Sequence, residues 1–353
     1  MSKWRFHSID SWEDVWSSEN VERWEDVLQQ SPNAHVFFHP KLVKVWVDTY
    51  LPLRYLKPIF IWAEDDTSNL GFLPLVLWRR NWKNAFMRSI IPIGYSDFDY
   101  HDPVFLHRID DPISFWKQVT EFIRQHYSYD ELLIDGITES MIGESSVWKR
   151  DDLCPSLSLD GFYDEASLLN FLKTSLRGDI RRQMRRLNEQ GGLQFHVYQR
   201  TDEVWTTFDE FMKEHQLRWP NAYKAPMFHR NLIERGINEG LVHFSSLDVA
   251  SRPVAWHLGF IYKERFYYYM PVGKHEFTQY SPAKVHLYHL VRWTIENHYA
   301  VFDHLRGDEN YKAGWSNDQQ YVYSTSINGN RLFSSAKQTI TKLGRKLIVS
   351  RRQ

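Results

Sequence analysis

The chain has 353 residues, more than one ordinary hydrophobic core holds, so two domains are expected. Lys and Arg number 43 against 44 Asp and Glu, and the net charge of −1 argues against a dedicated nucleic-acid binder, which carries a basic excess. A composition 42% hydrophobic and 25% charged excludes a disordered chain, and the lone Cys154 excludes an intramolecular disulfide framework and multi-thiolate metal sites.

Residues 1 to 30 are acidic and rich in Trp (Trp4, Trp12, Trp16, Trp24), with Ser18 as a cap for a helix carrying Val21, Trp24 and Leu28 on one face. The opening Met1-Ser2-Lys3-Trp4-Arg5 has no apolar stretch behind its charges, so it does not read as a signal peptide. No run of 18 apolar residues occurs, and a cytoplasmic setting is expected. Lys41–Tyr50 is a second helix, with Leu42, Val45, Trp46 and Tyr50 at helical spacing. Strands follow at Pro58–Ala63, Gly71–Trp78 and Phe86–Ile93, and Pro74 and Pro92 mark the last two as edge strands. A helix over Pro112–Tyr127, capped by Asp111, and a strand over Glu131–Ile137 complete the first half.

The second half opens near Ser156, which sets the expected domains at 1–155 and 156–353. A helix spans Asp164–Gln190, with a break at Gly178 and an end at Gly191-Gly192. Then come a strand (Leu193–Gln199), helices over Asp202–Arg218 and Met227–Glu239, and strands at Leu241–Val249, Pro253–Tyr262 and Arg265–Val272. Ser281-Pro282 starts a helix running to about Tyr299, with Pro where no N–H is missed. Val301–Leu305 is a short strand, and Tyr321–Ile327 should meet Arg331–Phe333 across an Asn328-Gly329 turn. The class is α/β (α+β), two domains packed together without a low-complexity linker.

The order from Leu193, β-α-α-β-β-β-α-β and then β-β, resembles the core of the GNAT superfamily of N-acetyltransferases. That resemblance implies two GNAT-like domains, the first a degenerate copy and the second more complete. Within it, the densest polar segment is Asp303-His304-Leu305-Arg306-Gly307-Asp308-Glu309-Asn310-Tyr311-Lys312-Ala313-Gly314-Trp315. It follows a short strand, where α/β sheets place ligands, and holds acids, bases and anion-binding groups together. An internally paired, solvated turn is the plainer reading. The string resembles the signature of the CelD/BcsL-type acetyltransferases, relatives of the FemAB aminoacyltransferases linked to envelope polysaccharide synthesis.

Upstream, Gln279-Tyr280-Ser281-Pro282-Ala283-Lys284 stands where GNAT proteins have their pyrophosphate loop, at a helix N-terminus whose free N–H groups receive phosphate oxygens. Pro282 and Lys284 occupy positions where small residues are the pattern. Arg177, Arg181 and Arg185 share one face of a helix whose segment 173–190 carries six basic and two acidic residues, suited to coenzyme A phosphates, an anionic sugar nucleotide or a lipid headgroup, or simply to solvent. In the first half, Tyr95, Asp97, Asp99 and Tyr100 lie in a segment that resembles the family's Gly…Asp-Tyr stretch and suits sugar binding.

The resemblance implies an acyl-coenzyme-A-dependent N-acyltransferase, with acetyl-coenzyme A as donor and an amino sugar or other envelope precursor as acceptor. Its site residues would be Asp303 and Glu309 as base, with His257 behind them, although in mid-strand a satisfied buried histidine is its plainer reading, and Tyr311 as acid to the leaving sulfur. Gln279, Ser281, Ala283, Lys284, Arg306 and Lys312 would hold the coenzyme, while Asp308 and Trp315, with the four first-half residues, would meet the acceptor. The strand Arg265–Val272 would turn backbone N–H groups toward the thioester carbonyl. The alternatives are a FemAB-like transferase using aminoacyl-tRNA on a peptidoglycan precursor, and a non-catalytic scaffold of an exopolysaccharide synthase. No metal is expected: His286 and His289 stand at i, i+3 without a third ligand nearby. The tail from Arg331 has seven basic residues and no acid, with Leu343, Leu347 and Ile348 between charges, a surface helix or a contact for an anionic membrane.

Overall fold

The first element precedes anything expected from the sequence. Trp4 and Phe6 alternate with the polar Arg5 and His7, and this period of two opens strand β1 (Trp4–Ile9). β1 lies antiparallel to β2 (Tyr55–Asp65), and Trp4 packs on Phe105 and Phe115. The structure is a computed structural model and describes residues 3–81, 84–143, 147–220 and 225–339.

Helix α1 (Trp12–Val15) leads to α2 (Ser18–Gln30), whose cap is Ser17 rather than Ser18: its hydroxyl accepts the Asn20 N–H. α3 (Pro40–Tyr50) precedes β2, then β3 (Leu70–Arg79), β4 (Arg88–Pro92) and β5 (Val104–Phe105). Both proline-bearing strands are interior, against expectation. β3 pairs with β2 along its length and, on its other side, with β5 at Gly71 and Phe72 and with β4 from Leu75 onward. Pro74 falls between those two partners, where no N–H is required, and its carbonyl accepts the Ile93 N–H. β4 pairs with β3 and, in parallel, with β6 (Glu131–Thr138) through Ser89 and Ile90, so Pro92 closes the strand beyond that pairing. α4 (Pro112–His126), capped by Asp111, lays Phe115, Val119 and Ile123 on Ile59, Ile61, Leu73 and Leu75. Each such buried side chain contributes about 1.5–3 kcal/mol.

The chain divides into two compact units, one of residues up to Asp152 together with those from Tyr321, the other Leu153–Gln320. β7 (Lys149–Ser158), which the sequence did not suggest, spans the first boundary. The helix expected over Asp164–Gln190 is two, α5 (Glu165–Phe171) and α6 (Thr174–Asn188), and the break is not at Gly178. Buried Leu172 adopts extended backbone there, while Gly178 rides inside α6 with open space around it. β8 (Leu193–Tyr198), α7 (Thr201–Val204), α8 (Phe208–Arg218) and α9 (Phe228–Gly236) follow. Next come β9 (Val242–Val249), β10 (Arg252–Tyr262), β11 (Arg265–Gly273), α10 (Pro282–Glu296) and β12 (Val301–Asp303). Neighbouring strands run β8-β9-β10-β11-β12-β7, antiparallel except for β11 and β12. Ile180 of α6 and Leu287, Leu290 and Val291 of α10 pack with Phe266, Phe302 and Trp315 in this unit's core.

β13 (Asp318–Asn328) carries the chain back to the first unit, where its residues from Val322 pair with β6. The hairpin expected across Asn328-Gly329 does not form. Asp130, fully buried, accepts the Arg88 N–H and the Ser334 hydroxyl and ion-pairs Arg331 and Lys337, which draws residues 331–339 into a turn and a short helix. A buried carboxylate left without such partners would be costly. Leu343, Leu347 and Ile348 lie outside the described residues.

Candidate active site

β11 has two unequal neighbours. On one side β10 follows it throughout; on the other, β12 pairs only with Arg265–Tyr267. Among the described residues no strand pairs with Tyr268–Gly273 on that second side, so β11 keeps an open backbone edge. The register with β10 slips at the same level, between Leu258 and Phe260, so that Tyr268 and Tyr269 together face Gly259 in a β-bulge.

The Asp303–Trp315 loop begins where β12 stops. Leu305 and Gly307 take positive φ (58° and 124°), and the Gly307 N–H bonds to the Leu153 carbonyl at 2.8 Å. Lys312 is buried and its ammonium is surrounded by its own loop: the Arg306 carbonyl at 2.8 Å, the Gly307 carbonyl at 3.4 Å and Glu309 Oε2 at 2.9 Å. The structure therefore uses Lys312, and the Arg306 backbone, to hold the loop rather than to present a cation to phosphate. Trp315, 1% exposed, is core, and its carbonyl accepts from His304 Nε2. Burial lowers the His304 pKa to about 3, so this ring donates as neutral imidazole.

The base candidates separate cleanly. Asp303 is 1% exposed and accepts from Arg265 and from the Leu305 N–H, both at 2.8 Å, which leaves it a structural carboxylate. Glu309 has a side chain 56% exposed, with Lys312 its one ion-pair partner among the described residues. His257 is 0% exposed and its Nε2 accepts the Tyr269 N–H at 3.2 Å, so the one lone pair with which a neutral ring could act as base is already engaged. Burial, with His243 and His286 adding to it, holds its pKa well below the ordinary value.

Tyr311 is 42% exposed. Burial of its phenol and the Glu309 charge raise its pKa, while Arg218 opposes them. The same charges act on Tyr268 of β11: burial, then Tyr311, raise its pKa and Arg218 lowers it. Tyr268, Tyr311, Glu309 and Arg218 thus act on one another through their charges, and Tyr268 lies at the start of the open stretch of β11. The sequence did not suggest Tyr268 or Arg218. Tyr268 sits in a run of three tyrosines that reads as ordinary strand, and Arg218, stacked on Trp219 at the end of α8, belongs to no motif.

The expected coenzyme site is the start of α10. Gly273 ends β11 so close that an added Cβ would lie 3.1 Å from Pro282 and 3.2 Å from the Ala283 nitrogen, a close approach that a larger residue would crowd. The Ala283 N–H is the donor there, since Pro282 has none and the Lys284 and Val285 N–H groups bond to the Ser281 carbonyl. Ser281, in left-handed conformation, gives no side-chain cap. Lys284 ion-pairs Asp179 at 2.7 Å, Gln279 offers its carbonyl to Arg186, and Arg181 and Arg185 are exposed on α6. The residues fit a phosphate group at Ala283 with arginines of α6 nearby, though with fewer backbone donors than a full first turn would supply.

A pocket of about 360 Å³ opens beside the loop, walled by Leu153, Pro155, Asp308, Glu309, Ala313 and Asp318 among others. Its carboxylates outnumber its one lysine, which is already paired. Of the first-unit candidates, Asp97 accepts from the Trp46 indole at 3.1 Å and from Tyr50, whose pKa rises through burial and then through Asp97. Tyr100 is buried near His35 and Phe37, while Tyr95 and Asp99 are half-buried. Asp97 and Tyr100 are thus built into the first unit's framework. His286 contacts Ser245 at 3.0 Å and His289 stacks on Phe195, and no group of three metal-ligating residues occurs among the described residues.

Residues 174–313 match the family model described as an acetyltransferase (GNAT) domain. None of the curated proteins matches the sequence. Among solved structures, FemX is similar with a TM-score of 0.59 at 12% identity, over 91% of this chain and 98% of its own. The C-terminal domain of a putative lysylphosphatidylglycerol synthetase from Agrobacterium fabrum gives 0.55 at 13%, over 92% of this chain and 94% of its own. A tandem GNAT protein from the clavulanic acid biosynthesis pathway gives 0.51 at 11%, over 94% of this chain and all of its own (100%). The fold is that of a tandem GNAT-like protein, residues 174–313 match an acetyltransferase domain, and the chain is an acyltransferase.

Proposed function

We propose that the protein is an acyl-coenzyme-A-dependent N-acyltransferase, with acetyl-coenzyme A as donor and an amine-bearing acceptor such as an amino sugar or another cell-envelope precursor. The observation that carries this reading is the open edge of β11, at whose start Tyr268 feels the charges of Tyr311, Glu309 and Arg218. Acetyl-coenzyme A, when bound, supplies the activated acyl group. Backbone N–H groups of β11 polarise its carbonyl, and the Ala283 N–H with arginines of α6 holds phosphate. Glu309 takes the proton released as the acceptor nitrogen attacks. Tyr311, whose raised pKa keeps it protonated, donates a hydrogen bond to the departing sulfur rather than its whole proton.

An acidic pocket walled by Asp308, Glu309 and Asp318 suits an acceptor that arrives as an ammonium ion. Glu309 lines that pocket, which speaks against a silent scaffold. The link to exopolysaccharide synthesis rests on the CelD/BcsL-like segment from Asp303 to Trp315. The exposed arginines of α6 and the basic tail are where contact with an anionic membrane would be made; no helix among the described residues is long and apolar enough to cross one.

A second reading, transfer of an aminoacyl group from charged tRNA, rests on the resemblance of the Asp303–Trp315 segment to relatives of the FemAB aminoacyltransferases. The two are separated by supplying the full-length protein with acetyl-coenzyme A and glucosamine, and separately with radiolabelled aminoacyl-tRNA and a peptidoglycan precursor. Thiol release with acetylated amine in the first mixture is expected. Label transfer in the second alone would replace this reading with the other.

A further inference from the structure

We propose that His257 is a positioning residue for acyl transfer: its neutral ring accepts the Tyr269 N–H and so fixes the bulge of β11 at the edge where the acyl carbonyl is received. This rests on the coenzyme-dependent reading above. The residues around the bulge give the ring its place. Gly259, two positions along β10, has no side chain, and a Cβ there would fall on the His257 imidazole and on the Tyr267 carbonyl oxygen. The imidazole therefore crosses over Gly259 and reaches the Tyr269 amide at 3.2 Å. Pro271, paired with His257 in the register, has no N–H of its own, so the ladder is already thin at this level. Tyr268 stacks on the ring at 4.7 Å and 9°, with Phe266 and His243 within 5.8 Å.

Because Nε2 accepts, the proton sits on Nδ1, which is buried and has no partner among the described residues. A phenylalanine would fill the same space without leaving that N–H unpaired, so filling space does not explain a histidine here. What the ring adds is an acceptor. Bulges redirect the peptide planes on either side of them, and this one lies at the level where β12 has ended and the β11 edge is open. Donors that polarise a carbonyl act only if they are held still before it arrives. The charged or titratable groups that bear on the ring, His243 and His286, are themselves buried with lowered pKa values, so nothing adjacent favours an imidazolium.

The test compares the full-length protein with His257→Phe and His257→Gln by titration calorimetry, using acetyl-coenzyme A and free coenzyme A as separate ligands. His257→Phe should weaken acetyl-coenzyme A about tenfold relative to coenzyme A, the size of one ordinary hydrogen bond. His257→Gln, whose amide oxygen reaches to the same place, should restore the difference. Equal losses for both ligands, or a glutamine variant that behaves like phenylalanine, would overturn the proposal. Wild-type protein that binds neither ligand would instead overturn the coenzyme-dependent reading on which it rests. A ¹⁵N spectrum of the wild-type imidazoles at neutral pH covers the case in which the phenylalanine variant fails to fold. His257 should carry its proton on Nδ1 alone, and an Nε2–H tautomer or an imidazolium would refute the acceptor role.

Discussion

Two carboxylates stand six residues apart in the polar loop, and burial separates what they can do. Asp303 is enclosed and bonded to Arg265 and the Leu305 amide, whereas Glu309 reaches the pocket. Glu309→Gln should lower turnover by about 10² to 10⁴ with the melting temperature almost unchanged. Asp303→Asn should lower the melting temperature first, by the equivalent of about 1–3 kcal/mol for a weakened buried interaction; initial-rate kinetics beside thermal melts read both. A kinetic loss confined to Asp303→Asn would reverse the assignment. Tyr311→Phe should depress kcat and kcat/KM together, because its hydrogen bond matters only as the sulfur departs, and a change in KM alone would remove that role. The density of charge in this loop, and internal pairing as its plainer reading, were readable from sequence; the geometry of that pairing was not. Spacing shows that Lys312 lies three residues after Glu309, but not that the chain folds back to place two carbonyls on the same ammonium.

Elements were readable where one face is apolar and unread where a single position decides. The β-α-α-β-β-β-α-β order emerged from periodicity, and the Asp111 cap of α4 was found by its side chain. The break between α5 and α6 was assigned to Gly178, yet an exposed helical glycine is merely tolerated while buried Leu172 turns the chain. Pro74 and Pro92 misled for a related reason. A proline forbids a donor, and the strand order that leaves a donor unneeded at Pro74 is a tertiary fact. Conformation decides in the loop as well. Gly307 has φ of 124°, and a Cβ there would meet the Glu309 carboxylate and lie 3.0 Å from Lys312 Nζ. Gly307→Ala should therefore cost about 1–3 kcal/mol of strain and lower activity beyond that, because it dislodges the Lys312–Glu309 pair. Denaturant melts with kinetics on the same preparation check this, and an unperturbed variant would show the loop to be pliable.

At the scale of the molecule, the second unit contains an unusual set of neutral buried histidines. Burial lowers His229, His243 and His304 to about 3 and His289 to about 4, each against about 6.5 in a free chain. The unfolded chain then takes up protons below pH ~6.5 that the folded unit refuses until pH ~4, so stability falls as pH drops through that window, by up to about 1.4 kcal/mol per histidine per pH unit. The urea midpoint of the second unit should be clearly lower at pH 5 than at pH 7.5, and an equal or higher midpoint at pH 5 would show that these rings are solvated.

Whether donor binding and chemistry lie on β11 and α10 can be read from hydrogen–deuterium exchange of the full-length protein with and without acetyl-coenzyme A. Slowed exchange is expected over Tyr268–Gly273 and the first turn of α10. Protection confined to residues before Asp152, or none at saturating ligand, would contradict it.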